Sequence, residues 1–281
     1  MIAPGTQHPA PEHPAPGHPG TQAPWHLVVI PGIQGRWEWL RPAIDHLNTR
    51  IPTTSYSLCG DIGSRCRLHP AAGFDNYLCQ LDAVLDRIPS QRIALCGVSY
   101  GGLIALRYAA TRTERISALI LSSSPSPGWK PNARQGAYIA RPWISTPLFL
   151  ATAPARILPE IYTALPDWSS RMSFCASHMA RVISAPPLPP LMGARIREEQ
   201  LIDFRPDCAA IRVPTLVTSG EAALDAVVPV EATREYLSLI PGAKYAMIER
   251  TGHLGLLTRP DVFAEIVSKF LIDDCRLQIE D

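Results

Sequence analysis

The chain contains 281 residues, 46% of them hydrophobic and 18% charged, with a formal net charge of +1. This length and apolar content predict a globular protein built as one large α/β domain with an insertion, and the near-zero charge gives no support for nucleic-acid binding. Because no run of about 18 apolar residues occurs and the N-terminus lacks a basic segment followed by an apolar one, we expect neither a membrane-spanning helix nor a secretory signal.

The first segment of the chain is rich in proline and histidine. Residues 1–24 hold 7 of the 29 prolines, and His8, His13 and His18 recur in a five-residue repeat. Few large apolar side chains are present, so burial cannot offset the entropy lost on ordering, and we expect a disordered tail. Some histidine-rich tracts bind metal, but the proline spacers favour incidental imidazoles in solvent. A metal-binding or partner-binding arm is the alternative.

From residue 25 onward, short apolar runs alternate with helical patterns. Apolar runs predict strands at residues 27–30, 53–58, 92–98, 116–121, 215–218 and 244–249. Apolar residues at helical spacing predict helices at residues 74–88, 103–110, 230–240 and 261–271. Strands that alternate with helices form βαβ units, so the pattern predicts a mostly parallel, doubly wound sheet covered on both faces.

A serine lies at the junction of one predicted strand and the next helix. Gly97, Ser99 and Gly101 have the spacing G-x-S-x-G. This spacing is typical of a sharp strand-to-helix turn that lifts the serine hydroxyl above the sheet, with the helix N-terminus favouring developing negative charge. The spacing alone also fits an ordinary glycine-rich turn. Its strand–turn–helix setting favours Ser99 as a nucleophile.

A serine nucleophile needs a base to remove its proton and a carboxylate to orient that base. In the chain order Ser, acid, His, the candidates are Asp225, in the loop after the strand at 215–218, and His253, in a glycine-flanked loop after the strand at 244–249. These loops should meet at the carboxyl edge of one sheet. Glu221, in the same loop, is the alternative acid. We favour Asp225.

Together these motifs resemble the α/β-hydrolase superfamily, specifically its capped, esterase-like branch. The likeness runs from Trp25 to Leu271 and rests on the elbow GVSYGG, the acid loop GEAALDAVVP and the terminal segment GHLGLLTRPDVFAEIVSKFL. It implies that Ser99 is the nucleophile, Asp225 the orienting acid and His253 the general base. Relatives with an aspartate nucleophile are excluded because this elbow holds serine.

The oxyanion hole requires two backbone N–H groups directed at the developing charge. Tyr100, directly after the nucleophile, is expected to supply one of them. The loop after the first strand usually begins His-Gly in this superfamily, whereas this chain has Pro31-Gly32. We expect the second donor to be the amide of Ile33, with Gln34 as the alternative.

The second proline-rich segment, residues 125–206, falls where this superfamily inserts a helical cap, which divides the core into residues 25–124 and 207–281. Prolines predict short, broken helices there, with fragments at 148–158 and 174–183. A cap of this kind excludes water and shapes a substrate cavity. The residues expected to line this cavity are Gln34, Trp37, Trp143 and Trp168. Packing within the core is the alternative for the tryptophans.

The seven cysteines include no C-x-x-C pair, so the sequence predicts neither a zinc site nor a disulfide framework. We expect reduced thiols in a cytoplasmic protein that needs no metal and no cofactor. The protein is expected to act on a small molecule as a monomer or homodimer.

The expected function is hydrolysis of a small to medium carboxylic ester through an acyl-enzyme. A lactone, a thioester or a carbon–carbon bond cleaved by the same triad is the first alternative. A non-catalytic ligand receptor that kept the fold is the second, although a binding pocket has no need for an ordered Ser, Asp and His.

Overall fold

The computed structural model describes residues 25–274, except for the side chains of residues 143, 145–151, 153, 154, 273 and 274. The predicted tail at residues 1–24 and Cys275 lie outside the described residues.

Six parallel strands form one sheet in the order β2-β1-β3-β4-β5-β6. Their bounds are β1 His26–Ile30, β2 Thr53–Ser55, β3 Ile93–Val98, β4 Ala118–Ser122, β5 Thr215–Ser219 and β6 Lys244–Met247. In β1, Leu27 and Val29 pack in one core cluster while Val28 and Ile30 pack in the other, because successive side chains of a strand point to opposite faces. Burial on both faces explains the continuous apolar run of this strand.

Helices cover both faces of the sheet. The core helices are α1 Arg41–Asn48, α2 Asp75–Leu85, α3 Tyr100–Thr111, α8 Arg205–Ala210, α9 Val230–Arg234, α10 Tyr236–Leu239, α11 Gly255–Thr258 and α12 Pro260–Lys269. Helices α1 and α12 pack together on one face with Leu27 and Val29, whereas α2 and α3 pack on the other face with Val28 and Ile30. The predicted doubly wound, mostly parallel sheet is confirmed.

Four further helices lie between β4 and β5. They are α4 Ala133–Ala140, α5 Pro142–Ala164, α6 Trp168–Ser184 and α7 Pro189–Glu199. The expectation of short helices cut by every proline is wrong for α5, which continues through Pro154 and Pro159 for 23 residues. A proline inside a helix removes one backbone hydrogen bond, and tertiary contacts of α5 with its neighbours outweigh that local cost. Pro166 and the Pro186-Pro187 pair do lie beyond helix ends, as expected.

No helix within residues 25–274 has the length and apolar character needed to cross a membrane.

Candidate active site

Ser99 occupies the sharp turn between β3 and α3. Its backbone has φ 52° and ψ −122°, a positive φ that costs a non-glycine residue about 1–3 kcal/mol. The Ser99 N–H donates to the Ser122 carbonyl at 2.8 Å, and the Gly102 N–H donates to the Ser99 carbonyl at 2.8 Å. These bonds hold the strained serine at the carboxyl end of the sheet and at the N-terminus of α3.

Glycines allow the backbone to crowd around this turn. A Cβ on Gly97 would collide with the Gly101 carbonyl, and a Cβ on Gly101 would collide with the carbonyls of Ile30 and Pro31. The strand before Ser99, the helix after it and the end of β1 are therefore in close backbone contact. The G-x-S-x-G spacing is explained by this contact.

His253 and Asp225 are brought together by the loops that follow β6 and β5. His253 Nδ1 lies 3.2 Å from Asp225 Oδ2, and both side chains are largely buried. Asp225 Oδ1 accepts hydrogen bonds from the backbone N–H groups of Val227 at 2.9 Å and Val228 at 3.0 Å. A Cβ on Gly252 would lie 2.9 Å from the Asp225 backbone nitrogen, so the glycine before His253 permits this approach of the two loops.

The rival acid, Glu221, has a different partner. Its Oε1 accepts a hydrogen bond from the Arg250 backbone N–H at 2.6 Å, and the Glu221 N–H donates to the Thr251 carbonyl at 2.7 Å. The loop between β6 and α11 carries His253 and is called the histidine loop. Arg250 has φ 64°, so Glu221 supports a strained residue in this loop. The carboxylate that contacts the imidazole in this arrangement is Asp225.

Electrostatics couple the two partners. Burial alone would raise the pKa of Asp225, but the charge and hydrogen bond of His253 and the N–H groups of Val228 and Val227 hold it below its usual value. Burial alone would lower the pKa of His253, but Asp225 and, more weakly, Glu160 raise it. The imidazole is thus a stronger base than an ordinary histidine.

The loop after β1 lies against Ser99. A Cβ on Gly32 would lie 3.3 Å from Ser99 Cβ and 2.8 Å from Gln34 Oε1, so Gly32 lies against the serine and the Gln34 side chain folds back over Gly32. The Gly35 N–H donates to the Gly32 carbonyl at 2.9 Å, which closes a turn around Ile33. Tyr100 is the first residue of α3. The two expected oxyanion donors, Ile33 and Tyr100, therefore belong to the two segments that flank Ser99.

A buried arginine from α7 supports this loop, and no local sequence pattern predicts its role. Arg195 Nη1 donates to the Ile33 carbonyl at 2.8 Å, and its guanidinium forms a buried ion pair with Asp61. The same guanidinium donates to the Cys59 carbonyl at 3.3 Å and to the Tyr77 hydroxyl at 3.4 Å. Without Arg195, the carbonyl of the Ile33–Gln34 peptide would lose this hydrogen bond.

A buried carboxylate from α5 contacts the histidine loop. Glu160 is 2% exposed; its Oε2 accepts from the Leu254 N–H at 3.0 Å and its Oε1 accepts from the Thr258 hydroxyl at 3.4 Å. The only local signal for this role is a carboxylate set among apolar residues of a helix. That signal does not identify a partner about ninety residues away.

The three tryptophans predicted to line the pocket have different surroundings. Trp37 packs against the core cluster on the α1 side of the sheet. Trp168 is 64% exposed at the beginning of α6, which gives its assignment to a pocket no support. Trp143 lies in α5, but its side chain is outside the described residues. The predicted pocket wall stays a prediction.

Comparisons with known proteins place this fold in a family. The model of the alpha/beta hydrolase family matches residues 27–266. The putative carbamate hydrolase RutD of Klebsiella pneumoniae (strain 342) is 30% identical over 189 residues, covering 63% of this chain and 64% of that relative. A pimeloyl-[acyl-carrier protein] methyl ester esterase of Nitrosomonas europaea is 25% identical over 242 residues, covering 82% of this chain and 87% of the relative. The chain thus spans a little under two thirds of the carbamate hydrolase it matches.

Solved structures agree with the sequence matches. MenH from S. aureus superposes with a TM-score of 0.70 at 26% identity, covering 89% of this chain and 94% of that one. The enol-lactonase from Burkholderia xenovorans has the same TM-score at 22% identity and 92% coverage of this chain and 94% of its own, which shows the shared fold. The chain belongs to the alpha/beta hydrolase family. It is an enzyme of the hydrolase class.

Proposed function

We propose that the protein is a serine hydrolase that cleaves a small to medium carboxylic ester through an acyl-enzyme. The observation that carries this proposal is the combination of Ser99 in a strained turn with the Asp225–His253 pair at the same edge of the sheet. A binding pocket alone has no use for a serine at positive φ at the same sheet edge as an imidazole held by a carboxylate.

The reaction begins with attack of Ser99 Oγ on the carbonyl carbon while His253 Nε2 takes the hydroxyl proton. Asp225 holds the imidazole by its Nδ1 atom and stabilises the imidazolium that forms. The backbone N–H groups of Ile33 and Tyr100 stabilise the oxyanion. His253 then returns the proton to the leaving alcohol. Water, activated by the same histidine, releases the acid and frees Ser99.

The names of the related proteins describe different substrates. They therefore support hydrolysis in general and do not favour one substrate. Two of the matching proteins are named a carbamate hydrolase and a methyl ester esterase, and a fold neighbour is named an enol-lactonase. Lactone, thioester or carbon–carbon cleavage by the same triad is therefore the alternative, and a non-catalytic receptor is the alternative from another class.

We further propose that residues 125–206, which contain α4 to α7, act as a cap that selects the substrate, above a core of residues 25–124 and 207–281. Two residues of this segment support its separation from the core. Arg195 contacts the loop after β1, called the oxyanion loop because it carries Ile33, and Glu160 contacts the histidine loop. The cytoplasmic location, the monomeric or dimeric state and the role of residues 1–24 stay predictions from the sequence.

A panel of p-nitrophenyl esters from acetate to octanoate tests the proposed function, with matched lactone, thioester and carbamate substrates beside it. We expect hydrolysis of at least the shorter esters, and its loss in both Ser99→Ala and His253→Ala. Turnover of lactones alone would replace the ester with the first alternative. Tight binding of a panel member without turnover would favour the receptor.

A further inference from the structure

The cap segment contains two acidic residues between positions 125 and 195, and they have opposite surroundings. Asp167 is exposed at the N-terminus of α6, where its carboxylate accepts from the Ser170 N–H at 2.8 Å. Glu160 is buried in the last turns of α5. Burial of a carboxylate costs free energy unless its surroundings compensate, so the position of Glu160 calls for an explanation.

Glu160 is bonded to the peptide that follows His253. Leu254 N, the donor to Glu160 Oε2, belongs to the peptide bond whose carbonyl is that of His253. Thr258, the donor to Oε1, lies one helical turn further along in α11. Glu160 therefore holds the backbone directly behind the imidazole and the helix that follows it.

The same end of α5 also holds the other side of the histidine loop. The Thr163 carbonyl accepts two hydrogen bonds from the Arg250 guanidinium, at 3.0 and 2.7 Å. Arg250 precedes His253 by three residues and Leu254 follows it, so α5 contacts the loop on both sides of the imidazole. From α5, one contact uses a backbone carbonyl and the other, that of Glu160, uses a charged side chain.

Among the described residues, the hydrogen-bond donors to Glu160 include the Leu254 N–H and the Thr258 hydroxyl, which are both neutral groups. Burial raises the pKa of Glu160, while the N–H groups of Leu254 and Gly252 and the charge of His253 lower it in part. The carboxylates that raise the pKa of His253 are Asp225, from the loop after β5, and Glu160, from the cap. Arg250, on the same loop as His253, directs its guanidinium to the Thr163 carbonyl of α5. The second carboxylate therefore lies on the cap side of the His253–Leu254 peptide.

We propose that Glu160 is a positioning residue for the reaction: a cap carboxylate that fixes the His253–Leu254 peptide and stabilises the imidazolium formed when His253 takes the serine proton. The inference rests on the proposed function, because it assigns His253 the role of general base. It makes the cap part of the catalytic machinery in addition to any part it has in choosing the substrate.

The test is the pH dependence of the reaction of Ser99 with a fluorophosphonate probe, measured as the labelling rate across the range in which histidine titrates. Labelling needs neutral His253, so the rate rises with pH through the pKa of that group. Glu160→Gln keeps an acceptor for the Leu254 N–H but removes the charge. We expect the midpoint of this rise to move to lower pH by about 0.5 unit or more, with a several-fold lower plateau rate.

Asp167→Asn is the matched control, because it removes one negative charge from the same segment at an exposed position. We expect its midpoint and its plateau rate to equal those of the wild type. A midpoint in Glu160→Gln that equals that of Asp167→Asn would overturn the proposal, because a merely structural side chain changes the plateau without changing the titration.

Glu160→Asp provides a second test that does not depend on the folding of the glutamine variant. It keeps the charge but withdraws the carboxylate by one methylene from the Leu254 N–H, so we expect a lower plateau rate with a smaller shift of the midpoint. A wild-type rate in Glu160→Asp would contradict the positioning role. Absence of labelling in the wild type would instead refute the proposed function, which separates the two failures.

Discussion

Two helices of the inserted segment reach two different catalytic loops, and each does so with one buried charged residue. Arg195 of α7 contacts the oxyanion loop through the Ile33 carbonyl and is paired with Asp61. Glu160 of α5 contacts the histidine loop through the Leu254 N–H, and its recorded partners are uncharged donors. One anchor is a buried ion pair and the other is a buried single charge.

This difference separates mechanical support from electrostatic support. The opposite charges of Arg195 and Asp61 largely cancel at long range, so the pair chiefly fixes the Ile33–Gln34 peptide through the Ile33 carbonyl. Glu160 has neutral hydrogen-bond donors among the described residues in place of a paired arginine, and its charge raises the pKa of His253. We infer that removal of Arg195 chiefly affects stability, whereas removal of the Glu160 charge chiefly affects the base.

The largest expected effect comes from the other side of His253. Asp225→Asn removes the carboxylate that holds Nδ1, and we expect kcat for an ester substrate to fall about 10⁴-fold because the imidazole is no longer held in the required tautomer. Glu221→Gln is the matched control, since Glu221 contacts the Arg250 backbone. Its kcat should stay within about tenfold of the wild type. An equal loss in both variants would assign the orienting role to the wrong acid.

The next effect is on stability and concerns the paired anchor. Arg195→Met leaves Asp61 buried without its cation, so we expect the free energy of unfolding to fall by about 3–5 kcal/mol in urea denaturation. Arg197→Met, an exposed position on the same helix, should cost well under that amount. Addition of Asp61→Leu to Arg195→Met should recover part of the loss, because the uncompensated charge is gone. If Arg195→Met is as stable as Arg197→Met, the ion pair does not anchor the loop.

The smallest effect is the stability change at the unpaired anchor, and its sign follows from the pKa. The folded-state pKa of Glu160 is raised above the ordinary 4.5, so its contribution to stability is complete below that pH and is lost as pH rises through the folded-state pKa. Glutamine does not titrate. Glu160→Gln should therefore become steadily more stable relative to the wild type as pH rises from the ordinary glutamate pKa to the raised one. A difference that is constant with pH, measured by urea denaturation at several pH values, would contradict this account.

The sheet and the triad candidates could be predicted from local sequence because their signals are local. The apolar run of β3 and the glycines around Ser99 reflect backbone contacts within a few residues of the serine. Asp225 and His253 follow strands that the apolar runs predicted, so their meeting at one sheet edge follows from the parallel topology.

The contacts of the inserted helices could not be predicted in this way. Pro154 and Pro159 predict helix ends by their missing N–H groups, yet α5 continues through both because tertiary packing decides its length. Arg195 and Asp61 are separated by 134 residues in the sequence, and no local pattern around either residue predicts that they pair. Such long-range partners require the fold before they can be recognised.

Covalent labelling is the direct test of whether Ser99 forms the acyl-enzyme. The protein is treated with a fluorophosphonate and the modified peptide is identified by mass spectrometry. We predict one adduct, on Ser99, in the wild type and in Asp167→Asn, and none in folded Ser99→Ala. An adduct that persists in Ser99→Ala, or one located on another residue of the wild type, would contradict the assignment.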